Sequence, residues 1–294
     1  MNAASREIPY LDERAIFSAV GYLDAVEALE GALREGLDPE QDPPRATVEL
    51  QPGQLLAMAS AYRGAAVSKL VTVGGDPRIQ GLLVVFDPVT LRPAAILDGI
   101  ALTLLRTAGV SALALRRLGD DAARRLVIFG CGPQSRAHAD ALTTVCRIDA
   151  TEFIGSAGRS DAETLVATAD VICCCTTAAT PLFDGALVAD HAVVIAIGSH
   201  EPHVRELDEE LMGRAAVVVE SRVSALREAG DVIIAADAGT LDLGDVVTLR
   251  ELIRGGTVPS EGRPAVFKST GMSWEDAVVA VTVAERAGLI SARA

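Results

Sequence analysis

Residues 125–138 read Arg125-Leu-Val-Ile-Phe-Gly-Cys-Gly-Pro-Gln-Ser-Arg-Ala-His138. The apolar run Leu126–Phe129 stops at Gly130-Cys131-Gly132 and gives way to a helical pattern that continues through Ala141 and Leu142. This predicts a strand, a tight turn and a helix N-terminus. Gly130 permits the turn, Gly132 lets the backbone approach a phosphate, and the free amides at the start of the helix face negative charge. A glycine pair alone also ends ordinary strands. Here the strand before it and the helix after it are both present, so the stretch reads as the pyrophosphate site of a dinucleotide.

Downstream, strand-like runs alternate with helical ones. The strands are Leu126–Phe129, Thr151–Ile154, Val171–Cys175, Ala192–Ile197 and Val217–Glu220, and Ala265–Lys268 is the last such piece. The alternation predicts an α/β unit over residues 119–271, with a Rossmann-type doubly wound parallel sheet. Only about a dozen residues separate Ile154 from Ala169-Asp-Val-Ile. A nucleotide-binding half ordinarily places a helix, a strand and a second helix there, so the outer third strand is expected to be missing.

Upstream, residues 14–35 follow a helical period, and a Pro-containing break spans 38–44. Short strands are predicted at Ala46–Leu50, Gln54–Ser60, Ala65–Val73, Gly81–Asp87 and Ala94–Leu97, with a hairpin turn at Asp87–Pro93. A helix from Ala101 to Leu118 closes an α+β domain over residues 1–118. A final helix, Ser273–Ala287, is expected to fold back onto that domain with residues 272–294, with Ser273 as its N-cap and Glu275 and Asp276 in its first turn.

Half of the residues are apolar but only 3% are aromatic, so the core rests on Val, Leu, Ile and Ala, which suits buried parallel strands. The net charge of −14 argues against nucleic acid or an anionic membrane as partner. The first thirty residues have no apolar h-region, and no run reaches the roughly 18 apolar residues of a membrane span. A soluble, cytoplasmic chain is expected. Three of the five cysteines form the run Cys173-Cys174-Cys175. Neighbours in a strand point to opposite faces, so these read as small core residues with neither disulfide nor metal-ligand spacing.

Three cations stand out in the first domain. Lys69 lies inside the apolar strand Ala65–Val73, where a buried ammonium must be paired or used; an edge position in solvent is the alternative. Arg45 follows Pro43-Pro44, and Arg106 opens Arg106-Thr-Ala-Gly-Val-Ser-Ala. Together they would receive an α-carboxylate, the arginines in bidentate fashion. The four histidines form no metal site; His138 is a packed or exposed helix residue. His200 and His203 follow the strand Ala192–Ile197 at the carboxyl end, where open sheets bind ligands. After the second strand, Ile154-Gly-Ser-Ala-Gly-Arg-Ser160 offers Ser156, Arg159 and Ser160 but no acid for a ribose 2′-OH. NADP is therefore favoured, with NAD as the alternative.

Five ordered motifs resemble the ornithine cyclodeaminase/μ-crystallin family. They are Val67-Ser-Lys-Leu-Val-Thr, Ile79-Gln-Gly-Leu-Leu-Val-Val-Phe-Asp-Pro88, Leu102-Thr-Leu-Leu-Arg-Thr-Ala108, Gly130-Cys-Gly-Pro-Gln134 and Val266-Phe-Lys-Ser-Thr-Gly-Met-Ser-Trp-Glu-Asp276. The resemblance implies that Lys69 is an active-site lysine and that Arg45 and Arg106 bind the substrate carboxylate. It also implies that Gly130, Gly132, Pro133 and Gln134 hold the pyrophosphate, with Thr176 and Ser269 near the nicotinamide, in a homodimer joined through the first-domain sheet. The family frame G-x-D-x-P-G-K-x-E-L reads here Gly198-Ser-His-Glu-Pro-His-Val-Arg-Glu-Leu207, so His200 occupies the Asp position. That departure turns the expectation from ornithine deamination towards the ketimine-reductase branch. The expected activity is NAD(P)H-dependent reduction of a small cyclic imine carboxylate, pyrroline- or piperideine-2-carboxylate, to proline or pipecolate, with His200 supplying or relaying a proton. An ornithine cyclodeaminase, an alanine-type dehydrogenase and a non-catalytic NADPH- and ligand-binding protein are the alternatives.

Overall fold

The computed structural model describes residues 7–119, 124–257 and 262–291. They fall into two compact units. One comprises residues up to Leu29, Gln41–Arg106 and the chain from Met272 onward; the other comprises Glu30–Glu40 and Thr107–Gly271.

The first unit is built on a six-stranded sheet. In chain order its strands are β1 (Tyr10–Leu11), β2 (Ala46–Leu50), β3 (Gly53–Tyr62), β4 (Ala65–Val73), β5 (Ile79–Phe86) and β6 (Pro93–Asp98). The spatial order is β1-β6-β5-β4-β3-β2, antiparallel throughout except for the parallel pair of β1 and β6. β3 and β4 are joined by the two residues Arg63 and Gly64, at φ 48° and 79°. Positive φ at both central positions matches the twist of the flanking strands. β4 buries alternate residues, Ala65, Val67, Lys69 and Val71, the two-residue period of a half-buried strand. That face carries helix α10 (Ser273–Arg286), which packs on β3 and β4.

The helix expected over residues 14–35 is two helices, α1 (Glu13–Ala19) and α2 (Tyr22–Glu35). The chain is extended at Val20, and the Asp24 carboxylate accepts the Gly21 amide at 2.8 Å. The apolar period continues across the break, which is why periodicity alone misses it. After β6, Asp98 accepts the Ile100 and Ala101 amides and starts α3 (Gly99–Leu118), a largely buried core helix.

The second unit holds a seven-stranded, all-parallel sheet. Its elements in chain order are β7 (Arg124–Phe129), α4 (Pro133–Leu142), β8 (Ile148–Ile154), α5 (Ala162–Thr168), β9 (Val171–Cys174), β10 (Val193–Ala196), α6 (Glu209–Arg214), β11 (Ala216–Val219), α7 (Arg222–Glu228), α8 (Gly230–Asp237), β12 (Val247–Thr248), α9 (Leu249–Ile253) and β13 (Ala265–Lys268). The strand order is β12-β11-β13-β10-β9-β7-β8. Every residue of β9, β10, β11 and β13 is buried, as expected of parallel strands covered on both faces. β8 ends the sheet among the described residues, so the expected loss of the outer third strand is what the fold shows. β13 lies between β10 and β11, a position its place late in the chain does not suggest. β8 and β9 flank β7 on opposite sides, which makes the carboxyl ends of β7 and β9 the switch point where open sheets bind ligands.

Helix α10 (Ser273–Arg286) completes the first unit and is buried almost all round. Its N-cap is Met272 rather than the expected Ser273, and Asp42 accepts the Trp274 amide at 3.0 Å.

Candidate active site

In the first unit, β4 aims Lys69 at the first turn of α10. Lys69 is 2% exposed, which removes the reading of a solvent-facing edge lysine. Its Nζ donates to Asp276 Oδ1 at 2.8 Å and lies 2.6 Å from Oδ2. Arg106, on α3, donates to Glu275 Oε2 at 2.6 Å and places Nε 3.1 Å from Asp276 Oδ1. The structure thus joins Lys69 and Arg106 through one carboxylate. Burial lowers the Lys69 pKa to about 8; the Asp276 charge opposes that shift and the Arg106 charge adds to it.

Arg45 is half-buried just ahead of β2. Its segment is anchored by Asp42, which accepts from Ser60 Oγ at 2.7 Å and from the Trp274 amide. Burial pushes the Asp42 carboxyl up to about 6, against the pull of those donors.

Glu275 and Asp276 are the functional residues that the sequence reading missed, having placed them only as first-turn acids. The available signal was the apolar run Ala277–Val281 behind them, which leaves α10 no solvated face for two carboxylates. Such acids require buried cations.

In the second unit, Gly130 ends β7 at φ 113°. A Cβ there would meet Cys175 O at 2.5 Å and Ser135 Oγ at 2.8 Å, whereas a Cβ on Gly132 would meet nothing within 4 Å. Gly132 is the N-cap of α4, Pro133 opens the helix, and no side chain caps it. The first-turn amides are thereby left to an anion. Gln134 Oε1 is buried without a hydrogen-bond partner among the described residues. An open cradle, an uncapped helix and an orphaned polar atom fit a dinucleotide pyrophosphate.

Thr176 follows β9 at the switch point. Its amide and hydroxyl both donate to Glu206 Oε1, at 2.9 and 2.7 Å, while Glu206 Oε2 accepts the Gly198 amide at 2.7 Å. Burial pushes the Glu206 carboxyl up to about 7, although the Lys268 charge and the Thr176 donors pull it down. Asp231 accepts from Ser199 Oγ and from the amides of Glu206 and Leu207, with Lys268 Nζ at 3.2 Å. Burial alone would raise Asp231, but Lys268 and these donors hold it below its ordinary value. The loop that carries the half-buried His200 is therefore fastened at both ends. His203 is exposed beside Glu201. Ser269 is buried and donates to Glu220 Oε1 at 2.6 Å, with the Thr270 and Gly271 amides on Oε2. Its hydroxyl is committed to holding the segment after β13.

Ser156, Arg159 and Ser160 lie in the exposed loop after β8. Arg159 donates to Glu152 at 2.7 Å and pairs with both oxygens of Asp161, at 3.0 and 2.8 Å. The loop itself lacks an acid, as read, but acids on either side of it hold its arginine.

The cysteine run departs from expectation. Cys173 and Cys174 are buried core residues, but Cys173 and Cys175 share one side of the chain with their sulfurs 3.5 Å apart. Alternation separates neighbours and brings residues two apart together. His138 is buried and its ligand atom joins these two within 4.8 Å.

The chain belongs to the ornithine cyclodeaminase/mu-crystallin family, whose model matches residues 13–289. It is 34% identical over 247 residues to the ketimine reductase mu-crystallin of Rattus norvegicus, covering 76% of this chain and 77% of the relative. It is 31% identical over 238 residues to the delta(1)-pyrroline-2-carboxylate reductase of Colwellia psychrerythraea, covering 71% and 74%. Among solved structures, an archaeal alanine dehydrogenase dimer with bound NAD superposes with a TM-score of 0.84 at 26% identity, covering 95% of this chain and 96% of that one.

Proposed function

We propose that the protein is an NAD(P)H-dependent reductase of small cyclic imines bearing an α-carboxylate, of the pyrroline-2-carboxylate and piperideine-2-carboxylate type. The observation that carries the reading is the buried cluster of Lys69 and Arg106 with Asp276 and Glu275. Two fixed cations suit a substrate carboxylate, and their two acids keep the cluster neutral when it is empty. A lysine poised at about 8 can also give a proton to an imine nitrogen. A protonated imine is the better electrophile, so a proton donor is the main catalytic demand on the protein. Arg45 adds a further contact to the carboxylate, and His200 relays the proton in place of the family's aspartate. The dinucleotide supplies the hydride when bound.

Gly130, Gly132, Pro133 and Gln134 form the pyrophosphate cradle, and Thr176 and Ser269 lie towards the nicotinamide half. Ser156, Arg159 and Ser160 favour the 2′-phosphate of NADP. The chain acts as a homodimer through the outer face of the first-unit sheet, where register aligns Val48, Leu70 and Leu82 on the side opposite Lys69.

The test is incubation of purified protein with NADPH or NADH and each cyclic imine, following the reduced cofactor and the chirality of the product. Turnover to proline or pipecolate is expected. Ammonia released from ornithine with NAD+, or alanine formed from pyruvate and ammonia, in place of imine reduction would overturn the assignment.

A further inference from the structure

The Cys173–Cys175 pair has no part in imine reduction, yet it is built into the wall of the glycine turn. Cys175 donates its amide to Phe129 O at 2.9 Å, and its carbonyl oxygen is the atom a Cβ on Gly130 would strike at 2.5 Å. The next residue, Thr176, is fixed to Glu206. Any movement of Cys175 is therefore felt by the turn.

The two thiols are already in contact at 3.5 Å. Residues two apart in a strand have Cα atoms roughly 6.6 Å apart at about 3.3 Å per residue, within the span a disulfide bridges. Cys173 is fully buried while Cys175 is only partly so, which makes Cys175 the residue of the pair nearer to solvent.

His138 lies on α4 beside them. Its Nδ1 is 2.8 Å from Gln134 O, so that nitrogen carries a proton, and Nε2 is 3.0 Å from Ser111 Oγ. The Cys173 hydrogen bond, then the His138 charge and hydrogen bonds from His138 and Ser135, hold the Cys175 thiol below its ordinary value against the effect of burial. Burial, then the hydrogen bond to Cys175 and the charges of Cys175, Cys174 and Glu206, raise Cys173. A thiolate beside a protonated thiol is the arrangement of an attacking and a resolving cysteine.

We propose that Cys173 and Cys175 are an oxidisable dithiol, a modification site for peroxides, whose closure to a disulfide loosens the glycine turn's hold on the dinucleotide. The inference rests on the dinucleotide reading given above. The Cys175 thiolate attacks the peroxide O–O bond, giving a sulfenic acid and hydroxide. The Cys173 thiol then attacks that sulfur, the S–S bond forms, and the sulfenic oxygen leaves as water with the thiol proton. The hydroxide takes up the proton that Cys175 lost on ionising, so two thiols are oxidised and one peroxide is reduced to two waters.

The experiment treats the intact protein with hydrogen peroxide, then measures its mass, maps its peptides and titrates NADPH by fluorescence. Expected is the loss of two hydrogens within the peptide holding residues 173–175, with NADPH affinity lower by about tenfold, or about 1.4 kcal/mol, both reversed by dithiothreitol. Cys173→Ser should trap a dimedone-reactive sulfenic acid on Cys175 without a disulfide, and Cys175→Ser should give neither product. Oxidation confined to the exposed Cys131 and to Cys146, or a disulfide that leaves NADPH affinity unchanged, would overturn the proposal. So would an affinity loss seen only with added Zn2+ and undone by a chelator with no mass change, which would assign His138 and the two thiols to a metal. Absence of NADPH and NADH binding before oxidation would sink the dinucleotide reading instead, and the mass data would still decide the thiol chemistry.

Discussion

Asp276 accepts from Lys69 Nζ on Oδ1 at 2.8 Å and keeps Oδ2 2.6 Å from it, while Arg106 Nε forms an ion pair with Oδ1 at 3.1 Å. None of the three side chains is more than 7% exposed. Removing one member of a buried pair leaves the other charge uncompensated, at a cost of about 3–5 kcal/mol. Asp276→Asn should lower stability by that order, read from urea unfolding.

The same pair sets a pH dependence. Lys69 titrates at about 8 in the folded protein and at about 10.4 when unfolded. Between those values the unfolded chain holds more protons, so the Lys69 contribution makes stability rise with pH across that window. If Lys69 binds the substrate as proposed, binding runs the other way, because the ammonium is lost above about 8. The kcat/KM for the imine should therefore fall above that pH. Asp276→Asn removes the charge that raises the Lys69 pKa, so any residual activity should lose its basic limb at a lower pH. A limb that stays in place would remove Lys69 from the protonated role.

Gly130 and Gly132 should fail differently. Gly130→Ala forces a side chain to φ 113° and onto Cys175 O, a strain of about 1–3 kcal/mol, and should cost both stability and dinucleotide binding. Gly132→Ala meets open space and should leave the unfolding free energy within about 0.5 kcal/mol of wild type. Its methyl group enters the phosphate cradle, so NADPH affinity should still fall. Calorimetry paired with a cofactor titration separates the two.

Leu70 and Leu82 are cross-strand neighbours, 41% and 39% exposed. In the proposed dimer these two facing leucines would lie within the apolar surface that the partner covers. The double variant Leu70→Glu/Leu82→Glu should halve the mass measured by light scattering while leaving the far-UV spectrum unchanged. A wild-type mass equal to that of one chain would refute the dimer.

The parts legible in the sequence were those governed by local rules. β4 and β13 have the bounds that alternation and an apolar run assign, and the short link after Ile154 foretold the lost third strand. The glycine turn was legible because φ and phosphate access are local demands. Partnerships across the chain were not. Lys69 and Asp276 are 207 positions apart, and no periodicity pairs them; only the two-residue placement of acids before an apolar helix hinted that buried cations must exist. The break at Gly21 and the contact of Cys173 with Cys175 were hidden by readings that look one residue ahead or average over a helical window.

Glu206 ties Thr176 to Gly198 through three donors. Glu206→Gln keeps one acceptor oxygen and turns an amide N–H towards one of them. A buried donor left unpaired costs about 1–3 kcal/mol. The wild-type carboxyl titrates at about 7, above its unfolded value of about 4.3. The folded state therefore binds more protons in that interval, and the Glu206 contribution to stability falls as pH rises through it. Glu206→Gln should flatten this slope, which urea midpoints at about pH 5 and pH 8 will show.

Arg159 offers the sharpest test of cofactor choice. Its guanidinium is held by Glu152 and Asp161 on the exposed surface, where ion pairs are weak and screened. A 2′-phosphate carries more charge than one carboxylate and can take over the bidentate face that Asp161 now occupies. Arg159→Ala should therefore weaken NADPH by about tenfold, or about 1.4 kcal/mol, and leave NADH unchanged. Asp161→Asn should do the reverse, freeing the guanidinium and raising the NADPH preference. Both follow from parallel titrations of the two cofactors at fixed ionic strength. If Arg159→Ala lowers both affinities equally, the arginine is holding the loop rather than reading the phosphate, and the preference for NADP fails with it.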